Sequence, residues 1–213
     1  MLCAAPVFGQ KFSKRVQQRQ EARKANYFYG ASFTFTTGYT HSWLSESDYT
    51  LSTKAFGRKA ETQNTRDSWN LGFLYDHAFS KAWGIQSGFF YMEKGGELFT
   101  FYDGGLGYGP IVVDETTIKV SYLGLQCMAR YFIPVNYHTR FSLNAGIHLD
   151  YAVQAGSYFS KWDLGPQAGI GFDWKHLAAS VTWQIGVYPK VVDDSRSRLS
   201  AINVNVGVRF WKD

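Results

Sequence analysis

The sequence is poor in proline, cysteine and charge, and it contains no long hydrophobic run. Five prolines and two cysteines occur in 213 residues, and charged residues make up 18%. No apolar stretch approaches the roughly 18 residues that a spanning helix needs, which excludes a helical membrane protein. Disordered chains are rich in charge and poor in aromatics, so disorder is excluded as well. If a leader containing Cys3 is removed, Cys127 is left alone and no intramolecular disulfide can form.

Aromatic residues and glycine are the abundant types. The chain contains 7 Trp, 14 Tyr and 17 Phe, together 18% of all residues, and 21 Gly. Aromatic side chains favour β-strands, and proline is depleted from paired strands. The composition therefore predicts a protein built from many strands.

The positive charge is confined to one end of the chain. Residues 1–26 contain six Lys or Arg and one Glu, an excess that equals the net charge of +5 of the whole chain. The remainder is therefore neutral. A short basic tail is a poor basis for a nucleic-acid-binding domain, and we expect no nucleic-acid partner.

The N-terminal stretch MLCAAPVFGQ resembles the end of a secretory signal peptide, with cleavage after Gly9 or Gln10. A positively charged segment before it is missing, which leaves an ordinary tail or a lipid-modified Cys3 as alternatives. We predict a residual signal peptide over 1–10, a basic periplasmic segment over 11–26 and a barrel domain over 27–213.

Alternation with a period of two dominates the chain after residue 26 and predicts eight strands. The alternating segments are 27–36, 69–76, 83–92, 122–131, 141–153, 162–174, 177–187 and 202–210. Ile118 and Val120 fall on the wrong face, which predicts a bulge near Ser121. Short turns alternate with longer predicted loops at 38–67, 95–117, 155–160 and 189–199. This pattern predicts an all-β, eight-stranded antiparallel up-and-down barrel.

Two features indicate which face of the strands points outward. The polar face consists of small residues and lacks Lys and Glu on strands five to seven, as suits a narrow filled interior. The apolar face carries aromatic residues near the strand ends, which predicts the two girdles of a transmembrane barrel. The predicted girdle residues are Trp69, Trp83, Phe141, Trp162, Trp174 and Phe210. A soluble barrel with an apolar interior is the alternative.

Glycine-rich strands joined by short turns carry a family resemblance. The segments are WNLGFLYDHAFSKAWGIQSGFFYMEKGG (69–96), YLGLQCMARYFIP (122–134), FSLNAGIHLDYAV (141–153), WDLGPQAGIGFDW (162–174) and VNVGVRFW (204–211). They resemble the bacterial outer-membrane β-barrel protein domain, including PorT-like proteins, and more distantly OmpX- and OmpA-type barrels. Our hypothesis is a monomer in outer-membrane lipid, with periplasmic termini and with 38–67 and 95–117 as the larger external loops. Its predicted role is structural, adhesive or accessory to secretion, and only the last is implied by the resemblance to PorT-like proteins.

Ionisable residues fall on the predicted inner face. Buried charges must be paired or hydrated, so we expect a salt-bridge network that fills the lumen. A gated ion path through the same residues is the alternative. The predicted network consists of Asp76, Arg130, His148, Asp150, Asp163, Asp173 and Arg209.

Neither catalysis nor a cofactor is indicated. His41 and Ser42, with Glu46 nearby, are the best candidates for a lipid-modifying hydrolase, but adjacent strand residues point to opposite faces. The five histidines show no ligand pair at a familiar spacing, so no metal site is predicted.

The predicted loop 95–117 is rich in aromatic residues. Exposed aromatic side chains in a long loop favour contact with a protein partner. The candidate contact residues are Phe99, Phe101, Tyr102 and Tyr108.

Overall fold

Eight antiparallel strands pair in sequence order and close into a barrel. The computed structural model describes residues 30–45, 58–102, 111–136, 138–154, 160–187 and 198–211. The strands are β1 (Gly30–Ser45), β2 (Arg58–Ala78), β3 (Trp83–Tyr102), β4 (Ile111–Asn136), β5 (Thr139–Gln154), β6 (Trp162–Trp174), β7 (Leu177–Ile185) and β8 (Arg198–Trp211). The barrel closes between β1 and β8, from Ser32 opposite Trp211 to Ser45 opposite Arg198. The predicted eight-stranded up-and-down topology is confirmed. The two predicted N-terminal segments, 1–10 and 11–26, lie outside the described residues.

The two ends of the barrel differ. At one end, which we call the turn end, short connections join β2 to β3, β4 to β5 and β6 to β7. The β6–β7 connection has two residues, and its Lys175 adopts φ 50°, the conformation that a tight hairpin turn favours. The other end, which we call the loop end, carries the four longer connections.

The bounds of two predicted loops, 38–67 and 95–117, are wrong, because strands occupy much of both ranges. β1 continues to Ser45, β2 begins at Arg58, and β3 and β4 extend to Tyr102 and from Ile111. These extensions lie beyond the predicted aromatic girdle. Apolar and polar residues alternate only where one face of a strand meets lipid and the other meets the lumen, so the extensions need not alternate. Register shifts at Thr62/Asn64, Thr65/Asn70 and Thr100/Phe101 break the alternation further.

The predicted irregularity near Ser121 is confirmed. The register between β4 and β5 shifts between Ser121 and Tyr122, and both side chains are buried together with the preceding Val120. On the facing stretch of β3, Gly95 N donates to Ser42 Oγ of β1 over 3.0 Å, although β2 lies between these strands. At the loop end, β3 therefore leans across the lumen toward β1.

Within the described residues, no helix has the length and apolar character that a membrane crossing requires.

Candidate functional site: the barrel lumen and its rim

The outer surface of the barrel is apolar. Its exposed large side chains include Phe35, Phe73, Phe89, Leu125, Leu143, Ile147, Ile170, Val181 and Val206. A surface of this extent is not left in contact with water by a soluble monomer, whereas lipid covers such a surface at no cost.

The six residues predicted to form girdles are all exposed and fall into two groups. Trp69 and Trp162 lie toward the loop end, and their rings contact Tyr91 and Tyr151 at centroid distances of 5.4 and 4.7 Å. The group toward the turn end consists of Trp83, Phe141, Trp174 and Phe210. Ten residues of β5 separate the two levels, from Phe141 to Tyr151. At about 3.4 Å per residue and a tilt of about 40°, this spans about 26 Å, close to the height of the apolar band of outer-membrane barrels.

Asp173 organises the charges at the turn end of the lumen. Arg140 Nε lies 2.6 Å and Arg209 Nη2 2.5 Å from its two carboxylate oxygens, and Arg130 Nη2 lies 3.4 Å away. Arg130 also pairs with Asp76, and Arg140 packs on the ring of Phe132 at 3.7 Å from the centroid. Three guanidinium groups therefore share two carboxylates, all of them buried.

Amide side chains continue the network toward the middle of the barrel. Gln86 Nε2 donates to Asp76 Oδ1 over 2.9 Å, and Gln126 Nε2 donates to Gln86 Oε1 over 3.2 Å. Two lumen cavities beside these residues have volumes of about 10 and 20 Å³. Each has room for about one water molecule. Side chains therefore fill most of the lumen around Asp76, Gln86 and Gln126.

A second charged cluster lies near the loop end. Lys94 Nζ of β3 lies 2.6 Å from Asp150 Oδ2 of β5. Asp163 of β6 is directly opposite Asp150 in the register, and His148 Nε2 lies 3.9 Å from Asp150 Oδ2. All four side chains are buried, and the ligand atoms of His148, Asp150 and Asp163 lie within 4.8 Å of one another. These three residues could hold a metal ion.

The structure thus places all seven predicted lumen residues in the interior and divides them between two clusters. Sequence reasoning missed Lys94 and Arg140. Arg140 lies on the same inward face of β5 as Ser142 and Asn144, so the alternating pattern is the signal that could have identified it. Lys94 lies on the same face of β3 as Phe90 and Met92, but it directly precedes the predicted loop 95–117, where no alternation is expected.

The His41–Ser42 pair has no hydrolase geometry. His41 Nδ1 lies 2.6 Å from Asp67 on the outer surface, whereas Ser42 Oγ is buried and donates to Gly95 O over 3.1 Å. A hydrogen bond with Tyr39, and then that with His41, lowers the pKa of Asp67, which lies beyond the loop-side aromatic group. Asp67 is thereby kept charged as an exposed partner of His41. Glu46 lies outside the described residues.

The aromatic residues predicted to make loop contacts are placed differently. Phe99, Phe101 and Tyr102 belong to the extension of β3 and pair with β2 and β4, so they are strand residues rather than loop residues. Tyr108 lies outside the described residues. Contact of these residues with a partner stays a prediction.

Comparison with known proteins identifies the fold. No protein-family model matches the chain, and no curated protein matches it by sequence. Among solved structures, the outer membrane protein OprG from Pseudomonas aeruginosa is similar with a TM-score of 0.51 and 13% identity, over 86% of this chain and 98% of OprG. Neisserial surface protein A (NspA) gives a TM-score of 0.47 and 14% identity, over 85% of this chain and 99% of NspA. Ail, the attachment invasion locus protein of Yersinia pestis, was solved in complex with the heparin analogue sucrose octasulfate. It gives a TM-score of 0.44 and 14% identity, over 85% of this chain and 99% of Ail. The chain therefore has the fold of bacterial outer-membrane barrels, and the narrower resemblance to PorT-like proteins stays a prediction.

Proposed function

We propose that the chain is a monomeric outer-membrane protein with periplasmic termini that acts by binding or structural support at its loop end. Adhesion, envelope integrity and accessory work in secretion all belong to this class of function. The observation that supports this proposal is that the barrel has an apolar outer surface and an interior that contains buried ion pairs. Such a body anchors in lipid and leaves the loop end as the surface that can meet a partner.

The strand extensions support a role at the loop end. A transmembrane strand needs about 9–11 residues. β2, β3 and β4 have 21, 20 and 26 residues, and they extend beyond the aromatic groups as one paired sheet. This sheet gives the protein a structured surface outside the lipid, which suits recognition of another molecule.

Cell fractionation and gel migration test this proposal. The chain should fractionate with the outer membrane, and the folded barrel should migrate differently from the heated sample in a detergent gel. A monomer that stays soluble without detergent would contradict the proposal.

A small gated channel is the second candidate, because charge pairs that cross the lumen could rearrange. Planar-bilayer recordings of the wild type and of Arg130→Ala separate the two functions. A structural or binding role predicts no steady conductance by the wild type. Channel activity that Arg130→Ala alters would favour the gated path, since Arg130 joins Asp76 to Asp173.

A further inference from the structure

We propose that His148, Asp150 and Asp163 form a binding site for a divalent transition-metal ion inside the barrel, near the loop end. The proposal goes beyond the anchoring and binding role. It rests on the arrangement of three ligands, on the space that the surrounding strands leave for the carboxylates, and on the carboxylate oxygen Oδ1 of Asp150.

The β-sheet register brings the three ligands together. His148 and Asp150 are two residues apart on β5 and therefore share the inward face. Asp163 occupies the position on β6 directly opposite Asp150. The three ligand atoms lie within 4.8 Å of one another, and the side chains are 0 to 1% exposed. Metal bonds of about 2.0–2.2 Å to nitrogen and carboxylate oxygen then need small side-chain rotations.

Two glycines, one on β4 and one directly after β7, leave space for the carboxylates. A Cβ atom on Gly124 would lie 2.5 Å from Asp150 Oδ1, and one on Gly186 would lie 2.5 Å from Asp163 Oδ1. A side chain at either position would therefore push against a carboxylate ligand. Gly165 is required for a different reason, because a Cβ atom there would lie 1.7 Å from the backbone oxygen of Ile185.

One carboxylate oxygen of the cluster is open to a cation. Lys94 Nζ is bound to Asp150 Oδ2, whereas Asp150 Oδ1 has no hydrogen-bond partner among the described residues. Leaving a buried carboxylate oxygen without a partner is costly. A cation bound beside Asp150 Oδ1 would stabilise it.

The ligand types indicate which ions fit. Imidazole suits Zn²⁺, Fe²⁺ and other first-row transition ions, whereas an all-oxygen site suits Mg²⁺ or Ca²⁺. One imidazole with two carboxylates leaves further coordination positions for water. Zn²⁺ is the practical probe, since it does not change oxidation state and accepts both ligand types.

Calorimetric titration with ZnCl₂ tests the site. The full chain without a histidine tag is refolded in detergent micelles and treated with a chelator. We expect saturation at one ion per barrel. Asp163→Asn and His148→Gln should each weaken binding by at least about tenfold, because a neutral amide replaces a charged carboxylate or an imidazole ligand. His41→Gln, which alters an exposed histidine, should leave affinity and stoichiometry unchanged.

The Lys94→Met variant gives an independent readout if a ligand variant fails to fold, as judged by gel migration. Removing the ammonium group from Asp150 should increase the affinity for Zn²⁺ relative to the wild type. Three results would overturn the proposal: no saturable site in the folded wild type, full binding by folded His148→Gln or Asp163→Asn, or binding by Lys94→Met alone. The last result would mean that Lys94 itself is the resident cation.

Discussion

Lys94 of β3 and Asp150 of β5 form an ion pair across the lumen, with 2.6 Å between Nζ and Oδ2, although β4 separates their strands. Both side chains are 1% exposed. The pair joins non-adjacent walls of the barrel directly below the leaning segment of β3. It therefore occupies part of the lumen near the loop end, as the pairs around Asp173 do near the turn end.

Removing the ammonium group should destabilise the metal-free barrel. Lys94→Met leaves Asp150 and Asp163 buried without this cation, and breaking a buried pair from one side costs about 3–5 kcal/mol. The free energy of unfolding in lipid vesicles, measured with urea in the presence of a chelator, checks this.

Lys119→Met is the matched control, because Lys119 pairs with Glu93 at 2.8 Å but is 51% exposed. Its loss should cost no more than about 1 kcal/mol. The double variant Lys94→Met/Asp150→Leu should be more stable than Lys94→Met, since it removes both charges of the pair. Equal losses for Lys94→Met and Lys119→Met would contradict a buried pair.

At the turn end, Asp173→Asn should be more harmful than Asp76→Asn. Asp173 is the shared ion-pair partner of three guanidinium groups, whereas Asp76 pairs with Arg130, which retains Asp173 when Asp76 is lost. We expect a loss of at least about 3 kcal/mol for Asp173→Asn. Urea unfolding of the two variants in the same vesicles measures the order, and the reverse order would show that Asp173 is not the centre of the cluster.

Site-specific labelling in intact cells tests the orientation of the barrel. In a background with Cys127→Ser, Lys161→Cys at the loop end should react with a membrane-impermeant maleimide. Lys81→Cys, in the turn between β2 and β3, should react only after the outer membrane is opened. Both lysines are exposed, so accessibility of the side chain itself is matched. Labelling of Lys81→Cys in intact cells would reverse the proposed orientation.

Much of the fold could be predicted from the sequence, because lipid and lumen impose opposite demands on alternate residues. The segment 141–153 alternates without fault, and the structure alternates there as well, with Leu143 and Ile147 exposed and Asn144 and His148 buried. Val120 falls on the wrong face for the alternation of β4, and this predicts the register shift that the structure has between Ser121 and Tyr122.

The extensions of β2, β3 and β4 could not be predicted in the same way. Outside the girdle, both faces of a strand meet water or another part of the protein, so the period of two disappears. The sequence also did not predict that His148, Asp150 and Asp163 form one group. Asp163 joins His148 and Asp150 through pairing between β5 and β6, and spacing along the chain does not encode this register.

Lipid covers the outer face of the barrel, and a pair of lysine substitutions tests this most directly. Ile147 and Val135 are both 58% exposed, but Ile147 lies midway between the aromatic groups and Val135 lies beside the turn end. In vesicles, Ile147→Lys should lower the free energy of unfolding by about 2–4 kcal/mol and Val135→Lys by at most about 1 kcal/mol. Equal and small effects of the two substitutions would contradict a membrane-embedded barrel, because water would then surround both positions.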